Sequence, residues 1–312
     1  MQYNDNLKER LYRSKNPDEV SKFYDLFPDR DALINWMKSR PASKAKITTF
    51  EGNTDVVVVI PTIDVKGEFA QRCINEIYTG LYIVIVESGY NDYLFNIARN
   101  SNLGIIEALK VNPKWIILSS DDMIEAEPIQ ILIDQLSKLN HNAIDVLFTS
   151  PPGRIHSLHG FLGKPRFTYK FLINIMNRYR RKLYELNVKY NGKNYVTPVS
   201  TSNLLNRILY LKVMDVIWTI DFSIFSSTYL KRFSQNFFDE IYINAHEDAD
   251  LSIRMALNGA RKAFVKFEIR NYFGGSMGRG FDRSLRSIPS NSYLNYKFEN
   301  GLFLHNFPDA MK

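Results

Sequence analysis

Three short apolar runs, each cut off by a polar or acidic residue, constrain this chain more than any other feature. Residues 55–60 read Asp-Val-Val-Val-Val-Ile and stop at Pro61, Thr62, Ile63 and Asp64. Residues 81–86 are largely apolar and stop at Glu87. Residues 115–118 read Trp-Ile-Ile-Leu and stop, after two serines, at Asp121 and Asp122. Unbroken runs of this kind are strands buried on both faces. Between the first two, residues 67–78 place Phe69, Cys73, Ile74 and Ile77 at helical spacing. Between the second and third, the spacing predicts a helix over 93–101, a break at Asn102-Leu103-Gly104, and a short helix to Leu109. Strand and helix alternating at this interval form the βαβ signature of a parallel sheet with helices on its faces. Parallel strands finish on one edge, so Thr62, Asp64, Glu87, Asp121 and Asp122 converge on one crevice. Open α/β sheets bind ligands just outside the carboxyl ends of their strands.

The rest of the chain fits an α/β domain with additions. A helix over 128–139 and a strand over 143–149 extend the pattern; later come a strand over 220–225, a short helix over 228–233 and a strand over 263–267. Residues 1–52 read as a helical N-terminal arm, with helices over 18–27 and 29–39 separated and ended by Pro17, Pro28 and Pro41. The division is 1–52 for the arm, 53–150 for one half, 151–265 for a second half with a basic insertion, and 266–312 for a tail. No apolar run reaches the ~18 residues of a spanning helix. A polar, charged N-terminus predicts a cytoplasmic protein rather than a secreted one. The single cysteine, Cys73, excludes an intramolecular disulfide and any cysteine-built zinc site. A formal charge of +7 favours anionic partners: nucleotides, phospholipid head groups or nucleic acid.

Two carboxylate clusters stand out. Adjacent acids at a strand exit repel unless a cation joins them, and a hard cation takes one or two protein carboxylates and completes its shell with substrate phosphate oxygens and water. Asp121 and Asp122 fit that description, although an acid capping a helix from Met123 onward fits the same residues. The second cluster, Glu247-Asp248-Ala249-Asp250, opens a segment with Leu251, Met255 and Ala256 on one helical face and Gly259 at its end. There too, capping and the helix dipole favour acids without any chemistry.

Two other stretches have two readings each. Residues 164–193 are strongly basic, with Phe171, Leu172, Ile175, Met176, Tyr179 and Leu183 at helical spacing. They read as a core-packed helix with a solvated basic face, or as a peripheral contact to an anionic inner membrane surface. Aromatic interleaving would also suit nucleic acid, but no nucleic-acid motif accompanies it. Residues 273–280, Phe-Gly-Gly-Ser-Met-Gly-Arg-Gly, with Arg283 and Arg286 beyond, read as a loop able to close over a diphosphate, or as a plain surface loop.

Taken in order, Val-Val-Ile-Pro-Thr (58–62), Ile-Val-Glu-Ser-Gly (85–89), Arg-Asn-Ser-Asn-Leu-Gly (99–104), Leu-Ser-Ser-Asp-Asp (118–122) and Glu-Asp-Ala-Asp-Leu-Ser-Ile-Arg (247–254) resemble family 2 glycosyltransferases of the GT-A fold. The resemblance implies a mostly parallel central sheet flanked by helices. It implies that Pro61, Thr62, Asp64, Glu87 and Arg99 bind the nucleotide of a nucleoside-diphosphate sugar. Asp121 would take the ribose side and, with Asp122, a divalent metal, Mn²⁺ or Mg²⁺. Asp248 would be the general base, with Glu247 beside it. The acceptor would be a hydroxyl of a glycan, a lipid-linked sugar or a protein, and the reaction inverting. The Gln-x-x-Arg-Trp motif of processive enzymes is missing, which points to single additions. The chain departs from the family at Ile63, where an aromatic is common, at Glu87, where Asp is usual, and at Ser119, where a further Asp often stands. The alternatives are a sugar-phosphate nucleotidyltransferase, whose Gly-rich basic loop after the first strand is absent here, and a non-catalytic binding protein on a degenerate transferase fold.

Overall fold

A computed structural model describes residues 2–88, 95–149, 155–157, 189–190, 193–194, 215–217, 222–233, 236–257, 259–272 and 285–299. Three helices come first, α1 (Gln2–Tyr12), α2 (Pro17–Tyr24) and α3 (Arg30–Ser39). The Asn16 and Asp29 side chains accept backbone N–H bonds and so cap α2 and α3, and Pro17 occupies the first turn, where its missing N–H costs nothing. Then follow β1 (Lys46–Phe50), β2 (Asn53–Thr62), α4 (Glu68–Arg72) running into a π-helical turn (Cys73–Ile77), β3 (Leu81–Glu87), α5 (Ile97–Leu109), β4 (Trp115–Ser119), β5 (Met123–Ala126), α6 (Ile129–Ser137) and β6 (Val146–Thr149). Two short pairs lie beyond, β7 (Ile155–Ser157) with β10 (Asp215–Ile217), and β8 (Lys189–Tyr190) with β9 (Lys193–Asn194). The described chain ends with β11 (Phe222–Ser226), α7 (Ser227–Leu230), α8 (Glu247–Leu257), β12 (Lys262–Val265), β13 (Ile269–Asn271) and α9 (Ile288–Glu299).

The molecule is an α/β fold around a seven-stranded sheet ordered β1-β3-β2-β4-β11-β6-β12. β2 pairs in parallel with both β3 and β4, and β12 pairs in parallel with β6. β11 is antiparallel to β4 and β6, and β1 is antiparallel to β3. The sheet is therefore mixed, with β1 and β11 running against the other strands. β2 shows why the run 55–60 is so apolar: from Val56 to Thr62 it is buried without interruption.

Helices cover both faces. One face packs Val57, Val59, Val84, Val86, Ile116 and Leu118 against α5, α7 and the inner side of α8. The other packs Val58, Ile60, Ile83, Ile85 and Ile117 against the α4/π segment and α6. A third cluster joins α1–α3 to Tyr242, Ile243, Ala249 and Ile253 and to the α9 region through Leu285, Ile288, Tyr293 and Leu294. The N-terminal arm thus seals the outer side of α8. Among the described residues no helix is long and apolar enough to cross a membrane.

Several expected boundaries change. Residues 97–109 form one helix, without the break predicted at 102–104. Residues 46–50, expected in a helical arm, are the edge strand β1, whose side chains alternate between exposed and half-buried. The strands predicted over 220–225 and 263–267 are Phe222–Ser226 and Lys262–Val265. Helix α9 fills part of the 266–312 tail, where the sequence pattern marks no helix. The basic segment 164–193, apart from the backbone of β8 and Lys193 in β9, lies outside the described residues, as do 273–280 and Arg283.

Candidate active site

The crevice forms where the chain order reverses. From β2 the chain goes to β3 on one side, then returns to β4 on the other, and such switch points open a crevice at the carboxyl edge. The register aligns Thr62 with Glu87 across β2 and β3. It aligns Val59 with Leu118 across β2 and β4, which continued by three residues brings Thr62 abreast of Asp121. The Thr62 hydroxyl donates to Asp121 Oδ2 at 2.8 Å. Asp64 N–H donates to Thr62 Oγ1 at 3.2 Å, and Val65 N–H to Glu87 Oε2 at 3.3 Å. Pro61 lies where β2 has outrun its register with β4, a place where a strand tolerates a missing N–H. The fold therefore brings together Pro61, Thr62, Asp64, Glu87 and Asp121, as the strand exits predicted.

The acid pair is gripped from behind. Asp121 and Asp122 are 7% and 6% exposed. Burial, reinforced by Asp122 and opposed by the Thr62 hydrogen bond, pushes the Asp121 carboxyl up to about 6. The Cys73 thiol, itself pushed up to about 12 mainly by burial, points at the Asp121 carbonyl at 3.3 Å. Tyr78 and Ser119 hydroxyls meet at 2.6 Å beneath the strand end. Ser119, which shares its face of β4 with Trp115 and Ile117, is thus turned to Tyr78. The next hydroxyl, Ser120 Oγ, is buried without a hydrogen-bond partner. Two buried carboxylates and an unsatisfied hydroxyl are a donor set that suits a hard cation. Among the described residues no third acid or histidine completes a protein-only cage, so such an ion would draw its remaining ligands from substrate and water.

A zipper of amides ties the second acid cluster to the same edge. Asn96 caps α5 by accepting from Arg99 N–H and donates to the carbonyls of Glu240 and Tyr242 at 2.8 and 3.1 Å. Asn102 donates to Phe238 O and accepts from Phe238 N–H at 2.9 and 2.8 Å. Asn244 accepts from Ile97 N–H and donates to Phe95 O. Arg99 pairs with Glu240 at 3.1 Å, and its Nε is buried without a partner. Asn100 bonds Ser88 and Val86 O, fastening α5 to the end of β3. The motif at 99–104 therefore joins α5 to the 238–244 loop. It holds the α8 N-terminus beside that of α5, at the edge where β3 ends.

Glu247 and Asp248 sit half-buried in the first turn of α8, and Asp248 Oδ1 accepts from Ala249 N–H at 2.8 Å. Asp250 is different in kind. It is wholly buried, bonded by Arg254 at 2.6 Å and by Lys297 of α9. Burial would raise its pKa, but those two cations more than offset this and hold the carboxyl below its usual range. Asp239, half-buried, also holds Lys297 at 2.8 Å and completes a charge-neutral quartet with the three buried groups. His246 precedes the helix with φ +65°, and Asn244 has φ +51°. Left-handed backbone at His246 beside a candidate site is strain of the kind functional sites hold, whereas asparagine tolerates it. Sequence patterns gave no sign of Lys297, which arrives from a distant polar helix, or of His246, whose backbone is its distinguishing feature. Compared with known proteins, the chain matches no family model and no curated sequence.

Proposed function

We propose that this chain is a glycosyltransferase of GT-A type. It would move a sugar from a nucleoside diphosphate to an acceptor hydroxyl with inversion and in single additions. The observation that carries the reading is the Thr62–Asp121 bond across the switch-point crevice, with Asp122 beside it and Glu87 in register. The two helix N-termini of α5 and α8 at this edge add partial positive charge, which favours an anionic ligand.

In this reading Thr62, Asp64 and Glu87 seat the nucleoside, and Asp121 and Asp122 hold a divalent cation. Such an ion, when bound, neutralises charge that develops on the leaving diphosphate. Asp248 accepts the acceptor's proton as its oxygen bonds to the anomeric carbon. The bond from that carbon to the diphosphate oxygen breaks, and the nucleoside diphosphate departs. Asp250, committed to Arg254 and Lys297, anchors the helix whose first turn carries Asp248.

The test is incubation with a panel of nucleotide sugars plus Mn²⁺ or Mg²⁺. Release of nucleoside diphosphate, lost in Asp122→Ala with an unchanged circular-dichroism spectrum, is the expected result. Pyrophosphate chemistry instead would identify a nucleotidyltransferase, and no turnover with any sugar would overturn the reading.

A further inference from the structure

Beside the acid pair stands an aromatic step that the proposed chemistry does not use. β13 pairs antiparallel with β5, the strand that follows the acids directly, and Tyr272 N–H donates to the Asp122 carbonyl at 2.7 Å. The Tyr272 backbone is thereby fixed against Asp122, while the residue as a whole is 49% exposed, more than any other large apolar or aromatic residue described. Its ring stacks on Phe69 of α4, with centroids 5.9 Å apart and planes 27° from parallel. An aromatic this exposed loses apolar burial, and a ladder hydrogen bond holds it in that position.

We propose that the Phe69–Tyr272 step is a stacking platform for a sugar ring. The inference rests on the transferase reading and deepens it by assigning the sugar's contact. A pyranose presents a face of C–H bonds and a rim of hydroxyls. The face packs on an aromatic ring, and the rim stays in water or bonds to nearby polar groups, which a half-exposed tyrosine accommodates. The Tyr272 backbone is bonded to that of Asp122, one of the acids assigned to the diphosphate, and a transferred sugar is bonded directly to that diphosphate. An acceptor sugar must approach the same carbon, so the platform takes either the donor ring or the acceptor ring.

The experiment uses the full chain with Mn²⁺. Binding of UDP, UDP-glucose, UDP-N-acetylglucosamine, GDP and GDP-mannose is measured for wild type, Tyr272→Ala and Tyr272→Trp, and transfer to a set of p-nitrophenyl glycosides is measured alongside. Matching melting temperatures check that the variants fold, as a half-exposed position should allow. If the platform holds the donor ring, Tyr272→Ala weakens the sugar nucleotide about tenfold, the scale of one lost aromatic contact. It leaves the parent diphosphate unchanged, and Tyr272→Trp restores binding. If it holds the acceptor ring, donor binding stays put and the KM for the glycoside rises about tenfold, again restored by Trp. Unchanged binding and transfer in Tyr272→Ala, or equal weakening of sugar nucleotide and free diphosphate, overturns the platform while the transferase reading stands. Failure of the wild type to bind any sugar nucleotide or diphosphate would overturn both together.

Discussion

Three acids crowd the first turn of α8, and their surroundings assign them different work. Asp250 has no exposure and two cations on it, so its charge is spent on holding α8 to α9. Asp248 is half-buried, and its Oδ1 accepts from Ala249 N–H. Replacing Asp248 by Asn keeps size and polarity and removes proton acceptance alone. Sugar-nucleotide affinity should then stay near wild type while transfer falls by roughly 10²–10⁴, measured by single-turnover kinetics. Normal transfer in Asp248→Asn with loss in Glu247→Gln would move the base to the neighbour. His246 supplies a pH signature. Burial lowers its imidazole pKa to about 4 from the usual value near ~6.5. The fold therefore favours the neutral form, and that contribution is complete above ~6.5 and drains away as pH falls through 4. His246→Asn removes the titration and tolerates the left-handed backbone at φ +65°. Its melting temperature should change less than wild type's between pH 6.5 and 4; parallel curves would show that the histidine is not the titrating group.

At the scale of elements, α5 shows how a tertiary contact overrides a local signal. Asn102 and Gly104 look like helix breakers, and the spacing predicts an interruption there. In the fold Asn102 spends its side chain on Phe238 of another segment. Gly104 is needed for closeness: a Cβ there would stand 2.3 Å from Val59 Cγ1 and 3.2 Å from Val86 Cγ2. Gly104→Ala should therefore destabilise by about 1–3 kcal/mol despite alanine's better helix propensity. Adding Val59→Ala should recover part of that loss in denaturant titrations, and additive losses would sink the clash account. The parallel strands β2, β3 and β4 were legible because a strand buried on both faces has to be apolar throughout. β11 was not placeable, since a run such as Phe222–Ser226 carries no information on direction, and its partners β4 and β6 lie far back in the chain. β1 escaped notice because its edge position demands little burial, and α9 because several of its buried positions are polar: Ser290, Asn291, Ser292 and Lys297, with Ser290 bonded to Ile243 and Lys297 to Asp239 and Asp250.

For the whole molecule, the question is how two acid clusters far apart in sequence come to serve one edge. The first is placed by sheet topology, which the strand exits announced. The second is placed by the asparagine zipper between α5 and the 238–244 loop, backed by the N-terminal arm on the outer side of α8. No pattern in the sequence pairs Asn102 with Phe238 or Asn96 with Tyr242, because amide-to-backbone bonds leave no periodicity to read. The zipper also separates the two functions experimentally. Asn102→Ala leaves the Phe238 N–H and C=O without their buried partner, a cost of about 1–3 kcal/mol. It frees the loop that carries the α8 N-terminus but touches neither the Thr62–Asp121 bond nor Glu87. Donor affinity should accordingly remain near wild type, while turnover falls because Asp248 no longer meets the acceptor in register with the donor. Asn102→Asp keeps an acceptor for Phe238 N–H but turns a buried carboxylate toward the Phe238 carbonyl and Glu240 Oε1, so its turnover should fall at least as far as that of Asn102→Ala. Equal losses of donor affinity and turnover in Asn102→Ala would show instead that the zipper supports the fold as a unit and does not align one half on the other.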